Sequence, residues 1–487
     1  MINNIKKYFF AVMFFTLPII MANFYYIDDN GRSIEGYTNW GIDGRPLADF
    51  IMRSINLSSR LVDIFPLNII VSALLLSLAL SALKADLENN RNKNFLTFII
   101  PLLMVFNIFY LEVFSYRFDS ITISTAVMCC VFLSRIYKSP KIDAIITSAL
   151  TVAAMSLYQT TINVAIILII FNLILLAINE NKPDIVFRGI AIKVISLISG
   201  VLIYYIIVLP ASHSGGNGTD HPGVDFYYAL VNIFINIDAM TSIVSNFILN
   251  NNGKYVLLFL FLLSQISCII LAVSSKKKSI VISMLMLISP LIVFISMFGV
   301  MLTLENILFS PRIYISYGAF SFFSFGVAFL AMPPKASKAC YSCLLPITYS
   351  VVLSYAYGNT LKSQDLINMN TATKINGDIE SIYRGNENVI LSFNGIYPTS
   401  PVMSNTTSVF PQIKSMIPNY FANWWWSFQY MKRIGYTYTY PGPMSAEEAI
   451  SKYNLCSTSN FVKKSDYSIF MRGNFALIDF SNSICNK

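Results

Sequence analysis

Charge is what this chain has least of: Asp, Glu, Lys and Arg make up 12% of its 487 residues, where soluble domains carry roughly 25%. Histidine occurs only at His213 and His221, and no glycine-rich phosphate cradle stands where a nucleotide would need one. Each shortage excludes a class. So few charges rule out an ordinary soluble domain. A chain with neither a phosphate-cradling loop nor a cytoplasmic domain is poorly equipped to use a nucleotide sugar, so any sugar donor is expected from the membrane. No nucleic-acid partner is expected. Cys340 and Cys343 form a C-x-x-C, but no second pair or suitably placed His joins them, which argues against zinc or redox chemistry.

What the chain has instead is apolar length. Hydrophobic residues make up 55% and the mean hydropathy is +0.59. Apolar runs of about 20 residues recur along positions 1–357, each long enough to cross a hydrocarbon core about 30 Å thick. The expected fold is an all-α polytopic membrane protein over 1–357. A C-terminal unit of mixed α/β character follows over 358–487, where Gly, Pro, Asn, Ser and charges of both signs return.

Lysine and arginine orient the spans, because short loops rich in them stay in the cytoplasm. Lys6 and Lys7 keep the N-terminus inside, and the first span, 8–26, runs outward. No small-residue cleavage pattern precedes Phe24, Tyr25 and Tyr26, so this span reads as an uncleaved anchor. Further spans are expected at 63–83, 95–111, 120–132, 190–209, 255–273, 280–302, 313–332 and 340–357. As one helix, 142–178 would measure about 55 Å, so it is read as two short helices joined at 158–161, giving eleven crossings. The stretch 224–250, interrupted by Asn232, Asn236, Asp238 and Asn246, would as a crossing put Lys276, Lys277 and Lys278 outside. It therefore reads as a re-entrant or interfacial segment. The C-terminal unit is expected on the outer side of the membrane. In this topology the outer positions before residue 358 hold Arg32, Arg45, Arg53, Arg60, Arg117, Arg312 and only one lysine, Lys254. Guanidinium forks suit a bidentate grip on phosphate or carboxylate, so an anionic ligand is expected on the outer face.

The first outer loop, 27–62, opens on adjacent carboxylates, Asp28 and Asp29, followed by Arg32. A glycosyl phosphate already carries a good leaving group. An enzyme acting on one needs a base for the acceptor hydroxyl and cations for the departing phosphate. Asp28 or Asp29 fits the first role, giving a single displacement with inversion; Arg32, Arg45, Arg117 and Arg312 fit the second. Glu35, Asp43, Glu112 and Asp119 either orient sugars or are solvated charges and partners of nearby arginines. Tyr158 and Gln159 form the polar tip of the 142–178 hairpin, where they touch a lipid phosphate or satisfy helix ends. His213 and His221 flank a glycine-rich segment with Asp220, read as a polar loop in preference to a metal site. Trp424, Trp425 and Trp426 suit a membrane interface, a sugar ring or a core. Cys456 and Cys485 are the only outer cysteines, and an oxidising compartment permits their pairing. Ala446–Tyr453 reads as a helix capped by Ser445, and 388–393 and 467–470 read as strands.

The run YIDDNGRSIEGYTNWGIDGRPLADFI, residues 26–51, together with many spans and an outer C-terminal unit, resembles the GT-C superfamily of polyprenyl-phosphate-sugar glycosyltransferases. More narrowly it resembles the phage-encoded, serotype-converting O-antigen glucosyltransferases of the Gtr type II family. That resemblance implies transfer of glucose from undecaprenyl-phosphate glucose to a rhamnose of lipid-linked O-antigen in the periplasm. It also implies two functional partners, a donor flippase and a cytoplasmic donor synthase. No cofactor is expected, with a divalent metal left open. Two other classes compete. A flippase or transporter of lipid-linked sugars needs ionisable groups along its crossing path, and these spans carry almost none. An O-antigen polymerase would share the outer site but join whole repeat units.

Overall fold

A computed structural model of the chain describes residues 2–91, 93–180, 182–212, 229–274, 279–304, 306, 307, 309–333, 335–395, 397 and 399–485. His213, Asp220, His221, Lys276, Lys277 and Lys278 lie outside the described residues. The chain divides into two compact units. One comprises Met1–Ile20, Thr38–Arg60 and Ile64–Tyr355; the other comprises Met21–Tyr37, Leu61–Asp63 and Ala356–Lys487. The acidic pair of the first loop therefore clusters with the C-terminal residues.

The first unit is helical. Among the described residues, nine helical stretches are long and apolar enough to cross a membrane by length and composition. The longest-buried of them supplies the centre: every residue from Ser316 to Leu330 in the helix Ser316–Ala331 is buried. Its sequence alternates small residues with phenylalanines, which lets neighbouring backbones approach while the rings fill the gaps. Phe322 packs on Phe171 with ring centroids 4.9 Å apart. A Cβ at Gly318 would collide with the Met104 carbonyl, so only glycine allows that approach.

Several expected spans take a different form. The stretch 95–111 is broken into the helices Phe95–Leu102 and Ile108–Ser115. Pro101 closes the first, and the Asn107 side chain caps the second by accepting the Tyr110 N–H at 3.0 Å. The next helix, Ser120–Ser134, has only 15 residues. The hairpin expected at 142–178 forms as Pro140–Leu157 and Thr161–Asn179. At 224–250 the described part is an unbroken 21-residue helix, Ala229–Leu249, followed by a second, Gly253–Val273. The helix Leu344–Ile382 runs through position 357 without a break, so no linker marks the expected boundary.

Lysines assigned to inner loops also do more than mark topology. Lys193 is fully buried and donates to Asp143 at 2.6 Å, to Thr147 at 2.9 Å and to the Leu133 and Arg135 carbonyls. A charge away from water is tolerated only when its donors are satisfied in this way. Arg91 donates to the Leu330 and Met332 carbonyls, closing the C-terminal end of the central helix.

The second unit carries a four-stranded sheet in the order β1-β4-β3-β2, with β1 Ile390–Asn394, β2 Phe461–Lys463, β3 Ser468–Arg472 and β4 Phe475–Asp479. β1 runs parallel to β4, and the other pairs are antiparallel. Ser445 caps the helix Ala446–Tyr453 in a reciprocal box with Glu448. Ala449 of that helix and Leu455 just beyond it pack against Phe470, Phe475 and Leu477, and Tyr453 stacks on Phe475 at 3.9 Å.

Cys456 and Cys485 are disulfide-bonded beside this core, across a sequence separation of 29. Closing a loop of that length stabilises a fold by about 3–4 kcal/mol in the chain-entropy model. Cys456→Ser should therefore lower the thermal unfolding midpoint of the purified protein. In the native protein both thiols should resist alkylation until reductant is added; labelling without reductant would show that the bridge is absent.

Candidate functional site

The expected site residues fall into two groups, one in each unit. In the C-terminal unit, the chain leaves the helix Ile2–Ala22, turns through Ile27 at a left-handed φ of 46°, and enters the short helix Asp29–Glu35. A β-branched residue is strongly disfavoured at positive φ, so other contacts must hold this turn.

The two aspartates receive different environments. Asp29 is 1% exposed, and its Oδ2 accepts the Tyr26 N–H at 3.2 Å, which ties it to the turn. Asp28 precedes the helix; its Oδ2 accepts from Arg32 Nε at 3.1 Å, while its Oδ1 is buried with no hydrogen-bond partner among the described residues. Asp86 is the other described carboxylate with such an oxygen, but its second oxygen pairs with Arg135 at the basic-loop end of a span. Asp28 thus has one oxygen paired and one buried without a hydrogen-bond partner among the described residues.

Around Asp28 the surroundings are aromatic. The Arg32 guanidinium lies 5.1 Å from the Tyr37 ring centroid. Burial pushes the Tyr37 phenol up to about 12, against the opposing pull of Arg32, so it stays a neutral donor. Gly31 makes room for this packing: a Cβ there would stand 2.9 Å from the Tyr37 hydroxyl and 3.4 Å from the Trp426 ring. Trp425 is half exposed and Trp424 donates its indole N–H to the Asn419 carbonyl. Glu35 pairs at 3.0 Å with Lys432 on the surface, where an ion pair contributes little.

In the other unit the remaining candidates converge on Arg312 and Tyr158. Arg312 donates through Nη1 to Asp119 at 2.9 Å, and its guanidinium lies 3.8 Å from the Tyr116 ring centroid. Glu112 accepts from the Arg312 backbone N–H at 2.6 Å and from Ser310 at 2.9 Å. Asp119 also accepts from the Trp40 indole at 2.6 Å. Arg45 pairs with Asp43 at 2.9 Å and lies 5.6 Å from the Tyr158 ring centroid. Tyr158 is buried, which raises its phenol, and it feels Arg312, Arg45, Asp119 and Glu112 together. Gln159 donates to the Asp43 carbonyl at 2.6 Å and to Tyr204 at 3.1 Å, so the hairpin tip is stitched to the first loop. Arg117 is buried, its guanidinium 4.3 Å from the Phe65 ring centroid. Among the described residues, no three of His, Cys, Asp and Glu stand together as a metal site.

Four important residues escaped the sequence reading: Trp40, Asn30, Tyr420 and Arg433. Trp40 lies inside the quoted 26–51 run, and a lone tryptophan among polar loop residues was a usable signal. Tyr420 and Arg433 lie about four hundred positions from the turn they bind, so no local pattern marks them.

Residues 17–323 match the family described as glucosyl transferase GtrII. Over 443 residues the chain is 28% identical to a Salmonella phage P22 protein described as an uncharacterized 55.3 kDa protein in the gtrB 5' region, an alignment covering 88% of this chain and 89% of that one. No solved structure matches the chain.

Trp40→Phe keeps the buried ring but deletes the donor to Asp119. Losing a hydrogen bond to a buried carboxylate costs about 1.5–3 kcal/mol, so the unfolding midpoint in detergent should fall by several degrees. An unchanged midpoint would show that Asp119 does not depend on the indole.

Proposed function

The chain belongs to the GtrII glucosyl transferase family, and from that premise we propose that it moves glucose from undecaprenyl-phosphate glucose to a rhamnose of lipid-linked O-antigen. The proposed place is the periplasmic face of the bacterial inner membrane, and the outcome is serotype conversion. A flippase and a synthase would supply the donor.

One observation carries the assignment of the base: Asp28 keeps a buried carboxylate oxygen without a partner among the described residues, while Arg32 holds the other. In the proposed step the acceptor hydroxyl oxygen attacks the anomeric carbon and its proton passes to Asp28. The bond from that carbon to the phosphate oxygen breaks with its electron pair leaving on the phosphate, and configuration inverts. Arg32 Nε donates to one Asp28 oxygen at 3.1 Å and so orients the carboxylate for this role. Arg32 is the proposed cation beside Asp28; within the helical unit, Arg45, Arg117 and Arg312 are proposed, separately, as candidates for an anionic group. Glu112, Asp119, Asp43, Tyr158 and Gln159 hold those arginines and their loop in place. Asp29 is a structural partner of the turn. No cofactor is assigned.

The decisive assay supplies purified protein with radiolabelled undecaprenyl-phosphate glucose and a lipid-linked O-antigen acceptor, with no nucleotide present. Label should appear in the acceptor; label that crosses a vesicle bilayer without covalent transfer would instead identify a transporter. Asp28→Asn should lower turnover by about 10²–10⁴-fold, the usual share of a general base. Asp29→Asn should chiefly reduce the amount of folded protein. Full turnover in Asp28→Asn would remove Asp28 from the reaction.

A further inference from the structure

The Tyr420 hydroxyl makes three hydrogen bonds, all to the turn that carries Asp28. It donates to the Tyr25 carbonyl at 2.8 Å and accepts from the Ile27 N–H at 2.9 Å and from Asn30 Nδ2 at 3.1 Å. A phenol has one proton and two lone pairs, so its capacity is spent on this one segment. Its ring is fixed in turn: it stacks on Tyr430 at 4.5 Å with 7° between planes, and on Phe24 at 6.0 Å.

Asn30 carries the constraint further. It is fully buried, and its amide also donates to the Tyr25 and Ile27 carbonyls, while its Oδ1 accepts from Arg433 Nε at 2.8 Å. The Arg433 guanidinium lies 4.2 Å from the Tyr25 ring centroid. Tyr25 donates its own hydroxyl to Asp63 at 2.7 Å. Residues 25, 27 and 30 are thus all held from one side, and the strained Ile27 is the residue whose N–H Tyr420 engages. Asp28, directly after it, has no contact of its own with Tyr420 among the hydrogen bonds of the described residues.

We propose that Tyr420, with Arg433 acting through Asn30, is a positioning residue that fixes the Asp28 turn and so sets the direction of the Asp28 carboxylate. This inference rests on the reading of Asp28 as the base. A misplacement of about 1 Å at a reacting group can lower a rate about 100-fold, so a clamp on this turn acts on turnover more than on substrate affinity.

Tyr420→Phe tests it, because the stacked ring stays and only the hydroxyl goes. With purified full-length protein, polyprenyl-phosphate glucose and lipid-linked acceptor, kcat should fall about 10- to 100-fold with both KM values within about twofold. Hydrogen exchange should rise in a peptide spanning residues 24–35 and stay unchanged in the β1–β4 sheet. Tyr430→Phe, which keeps the stack and loses only a hydroxyl bonded to Asp365, should retain wild-type kcat. A wild-type kcat in Tyr420→Phe, or a raised KM with kcat intact, overturns the inference. If Tyr420→Phe does not accumulate, Asn30→Asp, which keeps the acceptor for Arg433 and deletes the amide donors, carries the same measurements. Failure of both to accumulate shows a folding role and also overturns it. The two readings fail separately: full activity in Asp28→Asn removes the base whatever Tyr420 does, whereas an inactive Asp28→Asn beside a fully active Tyr420→Phe removes only the clamp.

Discussion

An ionised group withdrawn from water must find its counter-charge and its hydrogen bonds inside the protein, and this constraint organises both units. The chain has few charges, and those it buries are mostly committed. Lys193 spends its ammonium on Asp143, a hydroxyl and two carbonyls. Asp119 is held between an indole and a guanidinium. Glu112 sits on a backbone N–H and a serine. Against that pattern, a buried carboxylate oxygen with no partner at Asp28 is an exception with an energetic cost, and such exceptions collect where chemistry needs a free lone pair.

The same constraint separates two neighbours in sequence. Asp28 and Asp29 share chemistry and adjoin in sequence, yet they find different partners. Asp29 accepts the Tyr26 N–H and is consumed by local structure. Asp28 can reach Arg32 four residues on, as an i,i+4 pair on one helical face, and this leaves its second oxygen over. The left-handed Ile27 creates the difference, because it rotates the chain between the end of the first helix and the start of the next.

Much of this was legible from residue order. Apolar length and the poverty of charge gave the helical unit, and the Ser445 box gave its helix in the C-terminal unit to the residue. Family membership was legible from the first loop. What escaped has a physical reason in each case. The break at 95–111 comes from Pro101 and Asn107, residues that membrane helices often absorb without breaking. In Ala229–Leu249 the buried Asn236 donates to the Leu302 and Leu304 carbonyls, an internal tie that counting polar residues does not reveal. The arginines assigned to a phosphate already hold carboxylates or aromatic faces, which periodicity and charge counting cannot reveal. Tyr420 and Arg433 were invisible because their significance exists only after the chain has folded back on its first loop.

The choice of a phenol to hold the turn follows from electrostatics. A lysine or arginine at position 420 would also supply donors to the Tyr25 carbonyl, but it would bring a positive charge beside Asp29 and close to Arg433, adding repulsion in a site with little water to screen it. It would also lack a lone pair for the Ile27 N–H and the Asn30 amide. A tyrosine supplies one donor and two acceptors without charge, and burial raises its ionisation further above the ordinary phenol range, so it stays neutral wherever the protein is folded. Geometry is thereby fixed without disturbing the balance between Asp28 and Arg32. A carboxylate proposed to take a proton needs a direction set by its neighbours, and a neutral phenol supplies that by geometry alone.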